Sequence, residues 1–212
     1  MSNDEDLARL ETVLGHRFAR RELLRQALTH CSHAQDQPPG EPATEACHNE
    51  KLEFLGDAIL GFVTSEALLE RFPALTEGQL SKIKANLVSA RRLYRVAEGL
   101  DLGAFLRLGR GDEKTGGRVK PGLLADAVEA LIAAIYLDGE LAAARQFIRR
   151  FILADLDQVT VEQLLVADHK SALQEFLQAR PGGQGRTAEY RVVREEGPEH
   201  KKVFTVELRL DG

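Results

Sequence analysis

From the N-terminus to about residue 156, apolar positions recur three and four residues apart and no stretch alternates with period two, a pattern that predicts helix after helix. The predicted helices cover about 4–14, 20–30, 50–71, 77–98, 121–138 and 140–155. Two segments interrupt them. AQDQPPGEPATEA, 34–46, is rich in Pro and small polar residues, and GRGDEKTGGRVKPG, 109–122, is rich in Gly and charge; both read as loops. After residue 157 the pattern changes. DHKSALQEFLQAR, 168–180, predicts a helix ended by PGGQG, and two strand-like runs follow. In the second run Phe204, Val206, Leu208 and Leu210 alternate with Val203, Thr205, Glu207 and Arg209, and EEGPEHKK supplies the turn between the runs. The expectation is an all-α domain over 1–157, a linker over 158–167 and a small α+β module over 168–212. No repeat of 20–50 residues and no low-complexity tract is visible.

The chain's 212 residues and 43% hydrophobic content are enough for a real core. No apolar run approaches the roughly 20 residues of a membrane span. The acidic, amphipathic start MSNDEDLARL is unlike a signal peptide, so a cytoplasmic protein without a membrane partner is expected. Cys31 and Cys47 lack CxxC spacing, which argues for free thiols over a disulfide framework or a zinc site. The net charge of −5 speaks against nucleic acid until its distribution is considered. From Asp168 onward eight basic residues balance eight acidic ones, so the whole acidic excess lies in residues 1–167. An acid cluster neutralised by bound cations would produce this without excluding an RNA partner.

Two helices carry the chemistry. In LLADAVEALIAAIYL, 123–137, only Asp126 and Glu129 break an apolar run, and their spacing of three puts both on one side of the helix. Buried carboxylates are costly unless paired, hydrogen-bonded or bound to metal. In NEKLEFLGDAIL, 49–60, Glu50, Glu53 and Asp57 share a narrow arc opposite Leu52, Leu55 and Ile59. If the two stripes face each other, Glu53, Asp57, Asp126 and Glu129 cannot all stay ionised without cations. All-oxygen ligands suit Mg²⁺ or Mn²⁺, and phosphodiester hydrolysis is the leading chemistry. Solvated acidic faces, or ion pairs to Lys and Arg, are the alternatives from the residues alone. A di-iron bundle needs a His three residues after a Glu, and none of Glu50, Glu53 and Glu129 has one. Nothing marks a Cys or Ser triad.

HNEKLEFLGDAIL together with LLADAVEALIAAIYLD closely resembles the bacterial ribonuclease III family, as do ALTHCSHA, 27–34, and TEGQLSKIKANLVS, 76–89. The resemblance implies a homodimeric, metal-dependent endoribonuclease of the ribonuclease III endonuclease fold that cuts double-stranded RNA to 5′-phosphate and 3′-hydroxyl ends. Processing of rRNA precursors, mRNA and tRNA transcripts is the role it implies. Matched position by position, Glu53, Asp57, Asp126 and Glu129 would hold Mg²⁺, with Mn²⁺ able to substitute, and Asp57 and Glu129 would be the most essential to hydrolysis. Glu50 and Glu77 match further acidic positions, although Thr76 and Gln79 form a capping box that accounts for Glu77 through the helix dipole. Gly56 matches a family glycine, and close packing is the reading for a residue that costs ~1 kcal/mol in a helix. The implied dimer interface runs along this helix, where Phe54, Leu55, Phe62 and Leu68 are candidates for dimer or core packing.

DHKSALQEFLQ and YRVVREEGPEHKKVFTVEL resemble the family's double-stranded RNA-binding domain. That likeness implies that Gln174, Glu175, Gln178 and His200 contact the RNA minor groove, with Lys201 and Lys202 close to phosphates. The family's module continues through a third strand into a Lys-rich helix, whereas this sequence stops at ELRLDG. A partial module with reduced apolar cover and weak RNA affinity is expected. A non-catalytic RNA-binding protein and an acidic helical scaffold are the competing readings; the intact set of four acids favours the enzyme.

Overall fold

A computed structural model describes residues 4–35, 48–156, 158, 188–196 and 202–210. They fall in two units, residues 1–160 and 161–212.

The first unit is helical. It contains α1 (Asp4–Leu14), α2 (Arg21–Ala27), α3 (Cys31–Gln35), α4 (Glu50–Arg71), α5 (Glu77–Leu87), α6 (Ala90–Gly99), α7 (Leu102–Phe105), α8 (Arg110–Lys114) and α9 (Pro121–Phe151). Pro121 opens α9, where its missing N–H leaves no bond unmade. Ala127, Val128 and residues 130–135 of α9 are wholly buried, because α4, α6 and α2 pack around this stretch. A helix sheathed on all sides needs no polar face, which explains the near-continuous apolar run.

The expected break between 138 and 140 is a sharp bend within α9. Glu140 adopts φ 60° and ψ −175°, a region nearly reserved for glycine that costs of order 1–3 kcal/mol. The glycine stands one residue earlier for a different reason. A Cβ on Gly139 would come within 2.7 Å of the His16 ring. Beside the bend, Asp138 accepts the backbone N–H groups of Ala19 and Arg20 at 3.1 and 2.9 Å and pairs with His16 Nε2 at 2.9 Å.

The single helix expected over 77–98 is two. Thr76 and Gln79 make the anticipated capping box at the start of α5, but the chain turns at Val88–Ser89 and restarts with Ser89 as the cap of α6. The Ser89 hydroxyl accepts the Arg92 N–H at 3.4 Å and donates to the Asn86 carbonyl at 2.7 Å. The segment 109–122 is also more ordered than a loop. It holds α8 and a 3₁₀ turn (Gly117–Val119). The Arg118 guanidinium ties that turn down by donating to the carbonyls of Gly103, Ala104 and Leu106 at 2.8, 3.2 and 3.0 Å. Most of the 34–46 segment, at residues 36–46, lies outside the described residues.

In the second unit β1 (Ala188–Glu196) pairs antiparallel with β2 (Val203–Leu210), with an irregularity between Val192 and Arg194. Tyr190 faces Leu208 and Val192 faces Val206, and these four side chains are 39–55% exposed. The 168–180 helix falls outside the described residues.

Candidate metal and nuclease site

The acidic stripes lie on α4 and α9, the two helices that make the largest contact among the described residues. Gly56 sets their separation. A Cβ at this position would overlap the Glu129 carbonyl, lying 2.5 Å from its carbon. No other residue type permits the crossing, and the small residues Ala125, Ala130 and Ala133 keep the α9 side equally slim. The crossing brings acids from both helices together. One carboxylate oxygen each of Glu53, Asp126 and Glu129 lies within 4.8 Å of the others. All three are partly buried, whereas Asp57, one turn beyond Glu53, is exposed at the edge of the trio.

Electrostatics record the crowding. Burial, then repulsion by Asp57, Glu53 and Asp126, raises the Glu129 carboxyl from 4.5 to about 7. Glu53 is raised by burial, then by Asp126, Glu50 and Asp57. Asp126 is raised by burial, with His30 pulling in the opposite direction. Among the described residues, no Lys or Arg contributes to the electrostatics of Glu53, Asp126 or Glu129. The ion-pair alternative therefore fails, and the acids must share protons or cations. Three carboxylates within reach of one point, with no nitrogen or sulfur donor among them, fit a hard divalent ion such as Mg²⁺ or Mn²⁺.

The other candidate acids lie elsewhere. Glu50 is exposed, hydrogen-bonds the Cys31 thiol and stands 3.8 Å from His48 Nδ1. Glu77 is exposed and accepts from the Ser81 hydroxyl at 2.7 Å. Neither joins the trio. The Cys31 thiol is held up by burial and then by Glu50, which suppresses the thiolate a nucleophile needs.

One cluster beside the site is not apparent in the sequence. His30 Nδ1 lies 2.8 Å from the Ser32 hydroxyl and 3.5 Å from Asp112, and Asp112 is held by the Lys120 ammonium at 2.9 Å. Gly109 N–H donates to Ser32 at 3.0 Å. Segment 109–120 is thereby fastened to the residue next to Asp126. The only sequence signal is the pairing of His30 and Ser32 in ALTHCSHA with charges some 80 residues away.

The apolar candidates on α4 separate by burial. Leu68 is core at 1% exposure and Leu55 is half-buried, whereas Phe54 is 81% and Phe62 53% exposed; Leu69, outside those candidates, is also exposed. Of the predicted RNA contacts, Lys202 is paired with Glu195; Gln174, Glu175, Gln178, His200 and Lys201 lie outside the described residues. No described helix is long and apolar enough to cross a membrane.

Comparison with known proteins places this geometry. Residues 20–156 match the family profile described as Ribonuclease-III-like, and residues 169–212 match the double-stranded RNA binding motif. Ribonuclease 3 of Solibacter usitatus is 51% identical over 209 residues, covering 96% of this chain and 76% of the relative. Ribonuclease 3 of Desulforamulus reducens is 44% identical over 209 residues, covering 99% and 82%. Among solved structures, the nuclease domain of ribonuclease III from Campylobacter jejuni superposes with a TM-score of 0.64 at 36% identity, over 71% of this chain and 99% of that one. The helical unit with its carboxylate crossing and the RNA-binding motif that follows establish that the chain belongs to the ribonuclease III family of endoribonucleases.

Proposed function

We propose that the protein is a homodimeric, Mg²⁺-dependent endoribonuclease that hydrolyses double-stranded RNA in the cytoplasm to 5′-phosphate and 3′-hydroxyl ends, with rRNA precursors, mRNA and tRNA transcripts as substrates. The observation that carries the reading is the uncompensated trio of Glu53, Asp126 and Glu129 across the α4–α9 crossing. Glu53, Asp126 and Glu129 would hold the ion, and Asp57 at the exposed edge would complete the set on the side open to substrate. A divalent ion there supplies an acidified water and offsets charge developing on the phosphate. Glu129, the acid with the most strongly raised carboxyl, must release its proton for the site to load, so loading and deprotonation are one event. Asp57 and Glu129 are the two residues assigned the largest share in hydrolysis.

Residues 1–157 form the nuclease domain in this reading, 158–167 a linker and 168–212 an RNA-binding domain using Gln174, Glu175, Gln178 and His200. Glu50 and Glu77 are accessory acids at most. The solved Campylobacter jejuni domain is described as having a region involved in dimer formation, and the exposed Phe54, Phe62 and Leu69 stripe on α4 supports the same assembly here.

The test is cleavage of a long RNA duplex with and without Mg²⁺, repeated with Glu129→Ala. Metal-dependent cutting that is lost in the variant is expected. Binding of the duplex without cutting by the unaltered protein would overturn the enzymatic reading.

A further inference from the structure

A polyanionic substrate approaching four carboxylates is repelled unless cations stand close by, and bound metal serves only the phosphate at the centre of the site. Lys84 of α5 lies beside the acids without belonging to them. Its side chain crosses Gly61 of α4, with Nζ 3.5 Å and Cε 3.7 Å from the position a Gly61 Cβ would occupy. Gly61 follows Asp57 by four residues, as Asp57 follows Glu53. The ammonium therefore continues the line Glu53, Asp57 one helical turn further, about 5–6 Å along the same face. That is of the order of the step between successive phosphates on one nucleic-acid strand.

Two features set Lys84 apart from an ordinary surface lysine. It is half-buried, yet among the described residues no carboxylate lies within 4 Å of its ammonium. Its stem also lies over a glycine that helix packing does not demand. At Gly56 a Cβ would strike backbone, but at Gly61 it would meet only the Lys84 side chain at ordinary contact distance. A glycine inside a helix costs ~1 kcal/mol relative to alanine, and here it leaves a smooth strip on which the lysine stem rests.

We propose that Lys84 is a phosphate-binding residue of the nuclease site, receiving the backbone phosphate next to the one that the carboxylates address. The assignment rests on the nuclease reading above. The ammonium acts as a point charge toward non-bridging oxygens and takes no part in bond breaking. It positions the strand along α4 so that one phosphate reaches Asp57.

The test compares the unaltered protein, Lys84→Met, Lys84→Gln and Lys84→Arg on a long RNA duplex with Mg²⁺. Duplex affinity is measured separately across a KCl series in a Glu129→Gln background. Removing the charge is expected to raise KM and the duplex Kd about tenfold while kcat changes less. It should also flatten the slope of log Kd against log salt by about one. Lys84→Arg should keep the slope. A merely structural lysine would not move the salt slope, and the two neutral variants guard against one of them failing to fold. If both neutral variants keep the original KM and slope while the unaltered protein still cuts in Mg²⁺, the assignment of Lys84 falls and the nuclease reading stands. If the unaltered protein does not cut, the nuclease reading falls first.

Discussion

Glu129 and Asp138 lie on the same helix and titrate in opposite directions. Glu129 is partly buried and sits among acids, so the metal-free folded protein holds its proton more tightly than the unfolded chain, with a carboxyl raised to about 7. Stability therefore falls as pH rises from the ordinary carboxylate range through about 7. Glu129→Gln should stabilise the metal-free protein at pH 8 by on the order of 2 kcal/mol after allowing for solvent screening, read as a higher Tm, with the gain vanishing near pH 4. It should abolish cleavage at the same time. Asp138 shows the reverse. Burial pushes its carboxyl up, but the N–H groups of Arg20 and Ala19 and the His16 ring outweigh that and hold it low. Its stabilisation is full above the ordinary carboxylate range and is lost as pH falls through the depressed value. Asp138→Asn should cost about 1–3 kcal/mol at pH 7 and remove part of the acid sensitivity seen in melts between pH 7 and 3. Equal melting of the variant and the parent at pH 7 would show that the bend does not depend on this carboxylate.

At the scale of elements the crossing of α4 and α9 decides the most. Gly56→Ala forces the helices apart by the bulk of one methyl group against backbone, a strain of about 1–3 kcal/mol. Because Glu53 and Glu129 ride on the two helices, a displacement of on the order of 1 Å can lower activity by about 100-fold. A combined drop in Tm and kcat with the duplex Kd unchanged is the expected result; an active, fully stable Gly56→Ala protein would refute it. Both helices were legible from the chain: the bounds of α4 and α1 coincide with the periodic segments, and the bend of α9 falls at the Gly139 break. The turn at Ser89 was not, because Leu87, Ala90, Leu93 and Ala97 continue apolar spacings of three and four through it and only the cap breaks the backbone. The order in 109–122 was hidden for another reason. It comes from Arg118 and Lys120 reaching carbonyls and carboxylates, and such bonds leave no periodic trace. Likewise the four acids could be grouped from helical faces, but the exposure of Asp57 and the presence of His30 depend on how the helices meet.

For the whole molecule the exposed aromatics matter most. Phe54 at 81% and Phe62 at 53% exposure lie on the helix that carries Glu53 and Asp57, an apolar stripe that a lone protomer would leave in water. Phe54→Glu should shift sedimentation from dimer to monomer and reduce cleavage with little change in monomer Tm. An unchanged dimer would move the interface elsewhere. Among the described residues of the second unit, Tyr190, Val192, Val206 and Leu208 share one face of the β1–β2 pair and are 39–55% exposed. The contact between Gly56 and the Glu129 carbonyl reaches further than the local geometry. Core and carboxylate cluster are separated there by a single layer of backbone, so heat tolerance and the geometry offered to a divalent ion become one inherited property. Under the proposed Mg²⁺ dependence, directed evolution for survival at high temperature is then expected to shift the Mg²⁺ concentration that cleavage needs, even when no carboxylate changes.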